Sequence, residues 1–263
     1  LWNSDTINTV SIVTRHDAHA QQVINALNSG KNVFVEKPLA LTLTELEEID
    51  KSYHKANKLN VVRLMVGFNR RYAPHVVKMK KLLESHRSPK SIIMTVNAGA
   101  IPGEHWVQDT LIGGGRIIGE GCHFIDLMRH LVGHKITDFT ATMMGNVPGV
   151  EIREDKASIT LSFEDGSFGT IHYLANGGSE FPKERIEVFC DNAVLQMDNY
   201  RVLTGYGWTG FKKMKLFKQD KGQKACAKAF IESIANGREC PIPYNEVMES
   251  SRVSIEIANL LRN

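Results

Sequence analysis

The sequence predicts an α/β protein: a short parallel sheet, then an α+β unit built on a large, mainly antiparallel sheet. Two observations carry this. Up to residue 68, short apolar runs alternate with amphipathic stretches at helical spacing, the pattern of βαβ units. Beyond Thr137 the alternation has period two and is broken by two-residue turns, as in antiparallel strands with one packed and one wetted face. The junction is expected near residues 68–74, dividing the chain into 1–70 and 71–263.

In order, residues 9–13 form an apolar run (Val10, Ile12, Val13), a buried strand feeding a polar loop. Residues 19–29 place Val23, Ala26 and Leu27 on one helical face, with Gly30 as the stop. Residues 32–35 are a second strand. Residues 44–57 are a helix opened by a Thr44/Glu47 capping box, and residues 61–68 are a third strand. A helix (74–84), a strand (91–96) and a helix (120–131) follow. Ile159, Leu161 and Phe163 then share one strand face, and Asp165-Gly166 turns the chain into residues 168–174. Strands 185–190 and 193–197 meet across Asp191-Asn192, and helices 223–236 and 244–261 close the chain.

The composition is that of an ordinary globular protein, and the net charge is only +3, without a block of like charge; nucleic acid is not an expected partner. The four cysteines show no CxxC spacing and read as free thiols, so no metal site is expected. No apolar stretch reaches the ~18 residues of a membrane span, and Leu1 to Asp5 shows no basic-then-apolar leader; a cytoplasmic location is expected.

Two motifs carry chemistry. Glu36-Lys37-Pro38 stands at the carboxyl end of a parallel strand, where open α/β sheets bind ligands. The proline holds Lys37 extended, so its ammonium reaches toward that crevice for proton exchange. Gly113-Gly114-Gly115 leads into Gly119-Glu120-Gly121-Cys122-His123, with His123 expected in the first helical turn, where backbone N–H groups keep an imidazole neutral. Asp126 and His130 share its face, and Asp126 is a candidate to orient the ring. Alone, each motif has an ordinary reading: an exposed turn lysine, a helix-start histidine that packs.

Together, and in this order, they resemble the glucose–fructose oxidoreductase / inositol dehydrogenase (Gfo/Idh/MocA) family. The resemblance also rests on Thr14-Arg15-His16-Asp17-Ala18-His19, on residues 26–38, and on Val66-Gly67-Phe68-Asn69-Arg70-Arg71-Tyr72. It implies a nicotinamide cofactor (NAD or NADP) and a sugar or polyol substrate. It implies Lys37 and His123 as catalytic residues, and Thr14, His19, Glu36, Lys37, Pro38 and Arg70 as the cofactor crevice. Substrate-contacting loops are expected at Asn97, His105, Trp106 and Asp109, and a homo-oligomer through the large sheet. Two departures stand out. Where many relatives have an aspartate four residues before the histidine, this chain has Gly119, leaving Glu120 as a candidate substitute. No G-x-G-x-x-G joins a strand to a helix, so the Rossmann-type sheet is expected to be incomplete, short of about two βαβ steps. The chain alone is then expected to bind dinucleotide weakly. Two competing functions remain: a cofactor-assisted hydrolase or epimerase, and a non-catalytic assembly fragment.

Overall fold

The structure, a computed structural model, describes residues 1–146, 148 and 153–263. Its first sheet is parallel and three-stranded, in the order β1 (Thr9–Ile12), β2 (Asn32–Val35), β3 (Leu64–Val66). β2 and β3 are mostly apolar and buried, as in helix-covered βαβ units, whereas β1 alternates and leaves Ser11 exposed. Helix α1 (His19–Asn28) joins β1 to β2, and α2 (Leu43–Leu59) joins β2 to β3. The third strand is shorter than its apolar run, since Val61 lies exposed before it.

The start of α2 corrects the sequence reading. The capping box is Thr42 with Glu45, not Thr44 with Glu47: Thr42 Oγ1 accepts from the Glu45 N–H at 3.1 Å, and the Glu45 carboxylate accepts from the Thr42 N–H at 3.0 Å. Both pairs satisfy the S/T-x-x-E spacing. The extended backbone of Thr42 makes it the residue outside the helix.

The second sheet has eight strands: β4 (Ser91–Asn97), β5 (Ile136–Met143), β6 (Lys156–Phe163), β7 (Phe168–Leu174), β8 (Glu184–Cys190), β9 (Ala193–Asp198), β10 (Val202–Tyr206) and β11 (Lys213–Lys215). They stand in the order β11-β10-β9-β8-β4-β7-β6-β5. All neighbours are antiparallel except β4 and β7. Alternate residues of β6, β7 and β8 are buried, so one face packs on helices and the other is open. The open face is mostly Ser, Thr and charged residues, with Ile93, Phe168, Phe189 and Tyr206 exposed on it.

The remaining helices are α3 (Pro74–Leu83), α4 (Cys122–Val132), α5 (Gln223–Ala235) and α6 (Tyr244–Arg262), of which α5 packs through Phe230 on Phe34 of β2. α4 is sandwiched between the inner sheet face at β7 and α6, and all but one of its residues are buried. Gly169 on β7 permits this seating: a Cβ there would stand 2.6 Å from Met128 Sδ and 2.9 Å from Ile92 Cβ. The one G-x-G-x-x-G run in the chain, Gly205-Tyr206-Gly207-Trp208-Thr209-Gly210, lies where β10 turns toward β11. It opens no helix and forms no phosphate cradle of the βα kind.

Candidate active site

Three chain segments meet beyond the carboxyl ends of β1, β2 and β3. After β2 comes Glu36-Lys37-Pro38, with a cis peptide bond between Lys37 and Pro38. The Lys37 ammonium donates to the Gly119 carbonyl oxygen at 2.6 Å, across 82 positions of sequence. That oxygen lies four residues before His123. The His123 ring meets Phe68, just past β3, edge to face at 6.2 Å between centroids. Lys37 and His123 therefore lie on the same side of the molecule, around one turn of backbone, and the lysine's charge acts on the imidazole.

His123 is not at a helix start. Helical winding begins at residue 115, widens into a π-helical segment, Ile117–Gly121, and runs on into α4. Its N–H groups belong to the helix interior, so no positive helix end faces the ring. Burial is the main force that drives its pKa well below the ordinary value, assisted by the charges of Arg70, Lys37, Lys221 and Lys183. Nor does Asp126 orient it. Arg71 takes both Asp126 oxygens, at 2.7 and 2.9 Å, and joins them to Glu246, and among the described residues His123 Nδ1 is buried without a partner. Such segments of π-winding inside α-helices recur at functional sites.

Glu120 is no free acid or base. It accepts from Tyr173 Oη at 2.6 Å, Lys183 Nζ at 2.8 Å and Arg116 Nη2 at 2.8 Å. Burial works to raise its pKa, but Lys183, then Tyr173 and Arg116, outweigh it and pull the group down to about 2. It is a fixed anion that anchors the π-helical segment to the sheet. Arg70 is equally committed. The residue is 6 % exposed, and its guanidinium grips both Glu184 oxygens at 2.9 Å and lies 4.8 Å over the Phe124 ring. Rather than facing an open crevice, it is an internal strut. Register explains both clusters: Tyr173, Val96 and Glu184 lie side by side across β7, β4 and β8, all facing inward.

The remaining expected residues divide. His19 is buried behind the crevice, its ring nitrogens 2.7 Å from the Pro38 carbonyl oxygen and 3.1 Å from that of Thr14, tying the ends of β1 and β2 together. Thr14 is exposed on the crevice rim. Glu36 lies over Gly67, where a Cβ would stand 3.0 Å from its carboxylate. Trp106 reaches the site from the following loop, its ring 4.8 Å from that of His16. Asn97 instead holds the 178–181 loop through its amide, at 2.8 and 3.1 Å. The exposed Asp109 carboxylate caps the turn into the glycine run through the Leu111 and Ile112 N–H groups. His105 is exposed and caps the short helix Trp106–Gln108. Among the described residues no cluster of His, Cys, Asp or Glu could hold a metal ion, and no helix is long and apolar enough to cross a membrane. Residues that sequence reasoning missed are Arg116, Tyr173, Lys183, Glu184, Lys221 and His16. Only the i,i+4 spacing of Arg116 and Glu120 offered a signal.

Residues 1–68 match the model of the oxidoreductase family with an NAD-binding Rossmann fold, and residues 76–196 match the GFO/IDH/MocA C-terminal domain. The chain is 32% identical over 271 aligned positions to scyllo-inositol 2-dehydrogenase (NAD(+)) of Bacillus subtilis, covering 98% of this chain and 76% of that protein. It belongs to the Gfo/Idh/MocA family. Solved structures agree in fold: an oxidoreductase domain protein from Kribbella flavida superposes with a TM-score of 0.83 at 22% identity, over 100% of this chain and 81% of the other. Levoglucosan dehydrogenase in complex with NADH and levoglucosan gives 0.82 at 20% identity, over 98% and 80%. In this Gfo/Idh/MocA chain the position four before the histidine is Gly119, and the neighbouring carboxylate, Glu120, is turned away into its cluster of cationic and phenolic donors.

The histidines set an acid limit on stability. Burial above all holds His16 down at about 4 and His130 at about 3, and His123 lower than usual as well. The unfolded chain takes up these protons near pH 6.5 and the folded one resists, so acid favours unfolding. The contribution is complete above about pH 6.5 and falls as the pH drops, with a slope of up to about 1.4 kcal/mol per pH unit for each ring. Glu120 joins only lower down, because its stabilisation is lost as pH falls from the ordinary 4.5 toward about 2. Urea unfolding midpoints should therefore be flat above about pH 6.5 and decline between about 6.5 and 4.5. A midpoint that holds level to 4.5 would show that these rings are not buried neutral.

Proposed function

We propose that this protein moves a hydride between NAD and a hydroxyl- or carbonyl-bearing carbon of a sugar, inositol or related polyol. The observation that carries the reading is the bond of Lys37 to the Gly119 carbonyl, four residues before His123 and close enough for the lysine's charge to act on that ring. It lies at the carboxyl edge of the parallel sheet, where open α/β sheets bind ligands. The family supports it, as does the likeness to an inositol dehydrogenase that uses NAD(+).

The residues present suit a nicotinamide. Glu36, Lys37 and Pro38, with Thr14 on the rim and His19 fixing the loops behind them, would hold it. Gly67 leaves the room in which the Glu36 carboxylate lies, and the unpartnered Nδ1 of His123 leaves a polar atom to be satisfied. The cofactor, when bound, accepts or supplies the hydride. Lys37, steadied by the Gly119 carbonyl, has N–H groups left to donate to the substrate oxygen. His123, neutral and ringed by cations that disfavour its charged form, would take the hydroxyl proton only briefly and release it to solvent water. Trp106 forms a wall against the apolar face of a sugar ring.

Lys37→Ala, made in the complete gene product, should lower kcat for polyol oxidation by about 10²–10⁴-fold. Its urea midpoint should fall by the equivalent of no more than about 1.5–3 kcal/mol, because the substitution removes the bond to the Gly119 carbonyl but no core packing. Turnover within a few-fold of wild type would end the assignment. We propose further that these 263 residues alone hold the dinucleotide weakly, because among the described residues no strand-to-helix turn carries the G-x-G-x-x-G spacing. Titration of NADH fluorescence with the isolated chain should not saturate at micromolar concentrations; micromolar saturation contradicts the proposal.

A further inference from the structure

His16 has so far no task in the chemistry. It lies in the turn His16–Ala18, just after β1, and is 8 % exposed. Its Nδ1 is 2.8 Å from the Gly113 carbonyl oxygen. A carbonyl only accepts, so the ring hydrogen sits on Nδ1, and in the neutral ring Nε2 is left as a lone-pair acceptor. Among the described residues Nε2 has no hydrogen-bond partner, and it is not among the atoms sealed from solvent. Burial, opposed by the Gly113 bond and reinforced by the charge of Lys37, holds the ring's pKa near 4, so it is neutral at pH 7.

The surroundings place that lone pair in the site. A Cβ at position 119 would stand 3.1 Å from His16 Cε1, a tight contact, so glycine at 119 lets the ring lie where it does without giving way. The same Gly119 carries the carbonyl that receives Lys37. Trp106 packs edge-on against the ring, at 4.8 Å and 72°, and fixes its tilt. Lys37, Gly119 and the imidazole thus form one corner, in which the ring offers an acceptor and the lysine a donor.

We propose that His16 is a substrate-positioning residue whose Nε2 accepts a hydrogen bond from a polyol hydroxyl beside the one that Lys37 and His123 handle. The inference rests on the polyol reading and deepens it. An acceptor with no proton to give favours an alcohol at that place and disfavours a carboxylate or carbonyl oxygen, which would face lone pair against lone pair. The tautomer needed for this is set by the Gly113 carbonyl.

Two amide substitutions separate the ring's two nitrogens. His16→Asn keeps an N–H near Nδ1 for the Gly113 carbonyl, and His16→Gln puts an amide oxygen near Nε2. With myo-inositol and NAD+ as probes on the complete gene product, His16→Asn should raise KM for the polyol roughly five- to tenfold, with a smaller change in kcat. His16→Gln should return KM to within about threefold of wild type. An Asn variant with the wild-type KM, or a Gln variant as impaired as Asn, overturns the proposal. If the wild type forms no NADH from myo-inositol, the oxidoreductase reading has failed for that substrate, and ring ¹⁵N spectra decide His16 separately. An Nδ1-protonated ring whose Nε2 signal moves on adding myo-inositol supports the inference; an Nε2-protonated ring, or an unmoved signal, overturns it.

Discussion

The arrangement depends on one bond, from the Lys37 ammonium to the Gly119 carbonyl. It crosses from the edge of the parallel sheet to the helical segment that the eight-stranded sheet supports. A charge-assisted hydrogen bond of this kind is worth about twice a neutral one. Its acceptor lies inside the π-helical segment Ile117–Gly121, where the winding departs from the regular α-helix. Glycine at 119 also leaves the space into which His16 packs. Local winding, a missing side chain and a long-range contact thus converge on one peptide group.

Fixed charge clusters hold that peptide group in place. Arg116, Tyr173 and Lys183 converge on Glu120, the next residue along. Arg70 and Lys221 share Glu184, and Arg71 joins Asp126 to Glu246. Buried ions are costly to desolvate, and removing one partner typically costs about 3–5 kcal/mol because the other is stranded. Such clusters favour one arrangement of sheet and helix over near alternatives. They also surround His123 with positive charge, which adds to the larger effect of burial in keeping the ring neutral. The same burial that shapes the site therefore makes it sensitive to acid.

The sequence exposed the parts whose signal is local. The two sheets, most helices and the placing of Lys37 at a strand's carboxyl end could be read from periodicity and from Pro38. What could not be read was whatever depends on register or on winding. Glu120 and Arg70 look like free site residues until Tyr173 and Glu184 are known to flank Val96 across three strands. Asp126 looks like a partner for His123 until Arg71, 55 positions away, is seen to occupy it. The glycine run suggested a loop ending near residue 120, but winding begins at 115, which moved His123 from a helix start to a helix interior. His16 was quoted in a motif and given no role, because its neighbours Gly113 and Gly119 lie about a hundred residues downstream.

The most direct test of the central claim is a crystal structure of the complete gene product with NADH bound. It should show Lys37 Nζ on the Gly119 carbonyl oxygen, with the Lys37 and His123 side chains opening on one cavity that also receives the nicotinamide. Lysine and histidine side chains on opposite sides of the molecule, with no common cavity between them, would contradict the account.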